Sequence, residues 1–100
     1  MTINYNLNIV TTTPYLVQDT DEVIFVNVPS ASSVVLPAVV PGKNTAFYVK
    51  DSSGNAGLNP IIITATGGAN INGVSFAILN VNYSHVQLIW NGSNWQTLTV

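Results

Sequence analysis

The chain has 100 residues, of which 47% are hydrophobic and only 6% charged, with a formal net charge of −2. Soluble domains carry about 25% charged residues, so this chain lacks the mixed surface charge that ordinarily keeps a monomer apart from its copies. Lys43 and Lys50 are the only basic residues, which excludes the electrostatic footprint of a nucleic-acid binder, and the absence of cysteine excludes disulfides and thiolate metal sites. The length suits one domain with one core. Part of the nominal surface is therefore expected to be buried against other copies of the chain. The opening MTINYNLNIV has neither the basic stretch nor the apolar stretch of a secretion signal. No apolar run approaches the ~18 residues of a membrane span. The expectation is a soluble protein without a signal peptide and without membrane or nucleic-acid partners.

In chain order the punctuation is that of short strands. Residues 1–10 alternate Ile3, Tyr5, Leu7 and Ile9 with asparagine, which gives a strand with one apolar and one amide face. PYLVQ (14–18) and EVIFVNV (22–28) follow, separated by the acidic turn DTD. SVVLP ends at Pro37, and Pro41-Gly42 marks a turn before TAFYVKD. NPIIITAT, SFAILN, SHVQLIWN and NWQTLTV complete the series. No segment keeps a helical apolar rhythm over a helix length. Asn72-Gly73 and Asn91-Gly92 supply the positive φ of tight hairpin turns, and the second predicts a C-terminal hairpin. Eight or nine short strands with regular turn spacing predict an all-β fold: a single antiparallel β-sandwich, jelly-roll-like.

Groups able to do chemistry are few. The acids are Asp19, Asp21, Glu22 and Asp51, and His85 is the sole histidine. The first three read as a solvated acidic turn, since nothing in the spacing forces a second carboxylate across a cleft as glycoside hydrolysis requires. In YSHVQLIW, His85, Gln87 and Ile89 share one strand face and Ser84, Val86, Leu88 and Trp90 the other. His85 is thus expected on a polar face, with no base network beside it and no G-x-S-x-G elbow anywhere. The sequons Asn82-Tyr-Ser84 and Asn91-Gly-Ser93 read as turn chemistry. The loop DSSGNAGLNP after Val49-Lys50 alternates oxygen-bearing side chains in the manner of a cation loop. Counted from Asp51, however, its sixth residue is Ala56 and its twelfth Ile62, where a calcium loop needs Gly and Glu. It reads as a surface connection between two core strands. No catalytic residue, metal ligand or cofactor site is predicted. Tyr83, His85, Trp90 and Trp95 stand out: His85 as an interface residue, and the aromatics as packing that closes the end of the core or a subunit contact, or else as a platform on which a sugar ring could stack.

Three stretches, in order, carry a family resemblance. TTTPYLVQDTDEVIFVNV, SVVLPAVVPGKNTAFYVKDSSGNAGLNPIIIT and GGANINGVSFAILNVNYSHVQLIWNGSNW together resemble a small β-rich module of phage tail-fibre, head-fibre and virion decoration proteins. The shared pieces are a D-x-V-I-x-V strand, a V-x-L-P strand, an F-x-V-K-D strand, an N-P-I-T-I-like strand, a G-x-x-I-x-G turn and an N-G-x-x-W hairpin. Asn72 departs from the acid common at its position, and residues 1–10 have no counterpart. The resemblance implies a non-catalytic virion structural protein, a fibre or knob domain or a capsid decoration protein. It further implies a homotrimer that contacts other virion proteins and host surface glycans. On this reading residues 1–10 are an N-terminal strand or docking segment and 11–100 the β-sandwich module. The alternative is a free-standing carbohydrate-binding module built on Tyr83, Trp90 or Trp95.

Overall fold

The computed structural model describes residues 6–39 and 45–98. Among these residues the strands are β1 (Leu7–Val10), β2 (Tyr15–Leu16), β3 (Val23–Val26), β4 (Ser32–Leu36), β5 (Ala46–Asp51), β6 (Ile61–Ala65), β7 (Ala77–Leu79), β8 (His85–Trp90) and β9 (Trp95–Leu98). A 3₁₀ turn at Thr66–Gly68 is the only helical piece among them, so the all-β expectation holds. The expected turn at Pro41-Gly42 and the alternation at Ile3 and Tyr5 lie outside the described residues.

The strands form a five-stranded sheet, β1-β3-β5-β8-β9, and a four-stranded sheet, β2-β4-β6-β7. Both are mixed, which corrects the antiparallel expectation. β1, β3 and β5 run parallel, with Leu7 opposite Val23 and Val23 opposite Tyr48. β2, β4 and β6 are likewise parallel, with Tyr15 opposite Val34 and Val34 opposite Ile63. The chain therefore winds from one sheet to the other and back through three successive coils. The physical reason for the miss is that parallel neighbours need a long crossover, and here each crossover contains a strand of the opposite sheet. Turn residues between consecutive strands mark corners of the winding, not hairpins. Only after β6 does the chain reverse: β7 pairs antiparallel with β6, β8 with β5, and β9 with β8.

Alternation along each strand fills the space between the sheets. Val10, Ile24, Val26, Phe47, Val49, Val86, Leu88 and Trp95 point in from the larger sheet, and Val34, Leu36, Ile61, Ile63 and Leu79 from the smaller. Each such side chain contributes about 1.5–3 kcal/mol by leaving water. Strand β1 keeps its predicted alternation, but the apolar residues Leu7 and Ile9 are exposed while Val10 is buried and Asn8 half-buried. Asn8 reaches inward because Tyr15 Oη accepts from its Nδ2 at 2.7 Å.

Both Asn-Gly turns form. Ile71 and Val74 exchange backbone hydrogen bonds of 2.7 and 3.1 Å around Asn72 (φ 54°) and Gly73 (φ 81°), a two-residue hairpin with the positive φ that it needs. This hairpin lies along the free side of β9. Asn72 N donates to Trp95 O, Asn72 Oδ1 accepts from Thr97 N, and Asn72 Nδ2 donates to Thr97 Oγ1. The edge that β9 would otherwise present is covered. At Asn91-Gly92 the connection from β8 to β9 spans four residues, with Asn91 Oδ1 accepting from Ser93 N and Asn94 N.

Candidate functional site

The loop that suggested a cation site is organised by its one acid. Asp51 ends β5 and is 1% exposed. Its Oδ1 accepts from Ser53 Oγ (2.7 Å) and Gly54 N (3.1 Å), and its Oδ2 from Ala56 N and Tyr83 N (3.0 Å each). Burial alone would raise its pKa. The bonds from Ser53 and from the amides of Ala56, Tyr83 and Gly54 outweigh that and hold the carboxyl below its ordinary 3.8. The expectation of a surface connection is thus sharpened: the loop is on the surface and its acid is not. Further bonds stiffen it, from Leu58 N and Asn59 N to Asn55 O and from Gly57 N to Asn82 Oδ1.

Asp51 and Gly57 tie this loop to the turn between β7 and β8, where Tyr83 sits. Tyr83 has φ 61°, a left-handed conformation rare for a bulky side chain. Its amide bond to Asp51 and the bond from Lys50 Nζ to its carbonyl (2.7 Å) hold it there. Its ring rests over Gly54, where an added Cβ would collide with ring atoms Cζ, Oη and Cε2. Lys50 Nζ lies 5.8 Å from the ring centroid, within cation–π range. The ring is nevertheless 60% exposed.

The acidic turn before β3 also departs from expectation. Asp21 is buried, accepting from Tyr15 Oη (2.6 Å) and Gln18 N (2.9 Å). Burial, followed by the hydrogen bond and the charge of Asp21, pushes the Tyr15 hydroxyl above its usual pKa. Glu22 Oε1 accepts from Asn6 N. Asp21 precedes β3 and Asp51 lies opposite its last residue, Val26, so the two buried carboxylates occupy opposite ends of that strand. Each is engaged in fastening a local turn.

His85 opens β8 on the outer face of the larger sheet and is exposed. With Val23, Phe25, Tyr48 and Lys50 it lines a shallow hollow of about 410 Å³. Leu7, Ile9 and Leu98 continue this face and are all substantially exposed. The smaller sheet's outer side carries Leu16 and Ile78, also exposed.

Trp95 belongs to the core. It is 1% exposed, its ring 5.8 Å from Phe47 and 5.5 Å edge-on from Trp90. Trp90 is half-buried against the same cluster. Neither indole presents an open face with Tyr83, so the four residues singled out by sequence divide into a core pair, an exposed tyrosine and a histidine on a sheet face. Sequence reasoning did not anticipate the outer-face residues Val23, Phe25 and Tyr48. Their strands do alternate, but alternation leaves open which face turns outward. It also did not assign Lys50, Gly54 and Asn82 to the Tyr83 support, although the density of Asn, Ser and Gly around Asp51 was its visible trace. The sequence matches no protein-family model and no curated protein.

Proposed function

We propose that the protein is a non-catalytic structural component that assembles with its own copies, a virion fibre, knob or capsid decoration protein, with three chains per assembly. The observation that carries the assembly is the apolar outer face of the five-stranded sheet: Leu7, Ile9, Val23, Phe25, Tyr48 and Leu98 on a chain with 6% charged residues. Five strands about 4.8 Å apart and four to six residues long at ~3.3 Å each span roughly 300–400 Å². Lys50, His85, Gln87 and Gln96 share this face, so its apolar part is smaller than that area and falls within the few hundred Å² that a monomer exposes and that is often functional. A standard interface covers about 800 Å² per partner, so this face supplies about half, and Leu16 and Ile78 on the opposite side give assembly a second surface. The threefold number and the place in a virion rest on the motif resemblance, and contact with other virion proteins goes with them.

The non-catalytic reading is supported by how the polar groups are spent. Asp21 and Asp51 each hold backbone amides, which fits carboxylates that build turns. Native mass spectrometry and sedimentation at micromolar concentration test the proposal. A trimer is expected, and a monomer that persists at high concentration would overturn it.

A further inference from the structure

Both Asn-Gly pairs form turns, and glycine after asparagine leaves the next amide nitrogen unhindered for attack on the asparagine side chain. We propose that Asn91 is a modification site at which the chain deamidates itself, while Asn72 is protected by its place beside β9. In the reaction Gly92 N loses its proton to solvent hydroxide and attacks Asn91 Cγ. The Cγ–Nδ2 bond breaks, and the nitrogen takes a proton from water and leaves as ammonia. Water then opens the five-membered succinimide at either carbonyl, which gives aspartate or isoaspartate. One water enters and one ammonia leaves, with no oxidation or reduction. The inference does not depend on the assembly reading, because it concerns the β8–β9 connection and not a sheet face.

The two sites match in access and differ in how the amide is held. Asn72 and Asn91 are both exposed, and a Cβ added to Gly73 or Gly92 would meet nothing within 4 Å. At Asn91, Oδ1 accepts from Ser93 N at 3.0 Å and from Asn94 N at 2.9 Å. Both donors follow Gly92 in the chain, so the ring that each bond closes contains Gly92 N. The side chain is thereby folded back over the nitrogen that attacks it. Attack turns Oδ1 into an oxyanion, and two backbone amides already directed at that oxygen stabilise the charge as it develops. Nδ2, the group that leaves, makes no hydrogen bond among the described residues. The aspartate product keeps both amide bonds, now to a charged acceptor, so the connection survives the change. At Asn72 the constraints run the other way. Oδ1 accepts from Thr97 N at 3.0 Å, and Nδ2 donates to Thr97 Oγ1 at 2.6 Å. Both ends of this amide are tied to β9, outside the turn, so Cγ reaches Gly73 N only after both bonds break. Each bond slows the reaction by roughly two- to tenfold.

The test follows both sites in the full chain at mildly alkaline pH by tandem mass spectrometry. Chymotryptic cleavage after Phe76, Trp90 and Trp95 places Asn72 and Asn91 on separate peptides. The same chain unfolded in guanidinium supplies the rate that each dipeptide has without structure. The proposal expects Asn91 to deamidate about two- to tenfold faster folded than unfolded, and Asn72 to deamidate slower folded by at least that factor. Thr97→Val removes the hydroxyl that holds Asn72 Nδ2, so it should speed Asn72 by roughly two- to tenfold and leave Asn91 unchanged. Three results would each overturn the proposal: an Asn91 rate no higher in the folded chain than in the unfolded one, an Asn72 that reacts as fast as Asn91 in the folded chain, or a folded Thr97→Val chain in which Asn72 stays as slow as in the parent. The first and second need no variant, so the proposal is tested even where the substitution disturbs β9.

Discussion

Replacing Asp51 with asparagine tests the loop anchor at the heart of this structure. Each carboxylate oxygen accepts two hydrogen bonds, Oδ1 from Ser53 and Gly54 and Oδ2 from Ala56 and Tyr83. The asparagine amide fits best with its NH₂ group at the Oδ1 position, where Ser53 Oγ can turn to accept from it and only the bond from Gly54 N is lost, while the bonds that remain go to a neutral acceptor. Bonds to a charged acceptor contribute about 1.5–3 kcal/mol each, which puts the loss at roughly 1.5–3 kcal/mol or more. Against a total stability of about 5–15 kcal/mol this is a large fraction. Each kcal/mol moves the midpoint of a domain of this size by about 4–8 °C. Urea unfolding at fixed protein concentration, followed by the fluorescence of the buried Trp95, reads the loss directly. The pH dependence has a definite sign. The folded pKa lies below the ordinary 3.8, so this carboxylate's stabilisation is complete above that value and is lost as pH falls through the folded value. Parent and Asp51→Asn should therefore differ most near neutrality and converge in acid. A variant within about 1 kcal/mol of the parent at pH 7, less than a single such bond, would refute the reasoning, as would a gap that stays constant below pH 3.8.

Other substitutions probe separate parts of the account. Ser84 Oγ is buried with no hydrogen-bond partner among the described residues, so Ser84→Ala should leave stability unchanged or raise it by up to about 1 kcal/mol, measured by the same urea titration. Tyr15→Phe removes the hydroxyl shared by Asn8 and Asp21 and should cost roughly 1–3 kcal/mol, with the exchange protection of the Gln18 amide falling as the turn loosens. Leu88→Ala opens the centre of the core and should cost about 2–5 kcal/mol in thermal or urea unfolding. Gly54→Ala adds a Cβ both at φ 81° and against the Tyr83 ring, so calorimetry should record a lower midpoint and the Tyr83 ring resonances should move.

The residue pattern revealed strands and turns more readily than their assembly. β3, β4, β5, β6 and β8 fall where β-branched and aromatic runs predicted them, and both Asn-Gly turns form, Asn72 and Gly73 both at positive φ in a two-residue hairpin and Gly92 alone at positive φ in the four-residue connection. Sheet order was hidden, because Pro, Gly and Asn end a strand in the same way whether the chain reverses into a hairpin or turns the corner of a coil. Leu7 and Ile9 were visible as an apolar stripe, but its outward direction follows from the register with β3 and from Asn8 reaching Tyr15, a contact that alternation cannot encode. The buried state of Asp51 was hidden for a related reason. Three of its four donors are backbone amides, which leave no mark in the sequence. Trp95 was legible as an aromatic beside a turn, and only the packing of Phe47 and Trp90 makes it core.

The central claim is that copies of this chain cover the outer face of the five-stranded sheet and leave the loop end free. Hydroxyl-radical footprinting of the native assembly measures this side chain by side chain. Tyr48 and Tyr83 are both exposed on the isolated chain, at 39% and 60%, so they serve as internal reporters of the two surfaces. The account predicts strong protection of Tyr48, together with Phe25 and Ile9, and full labelling of Tyr83. Labelling of Tyr48 at a rate comparable to Tyr83, in an assembly of verified mass, would contradict it.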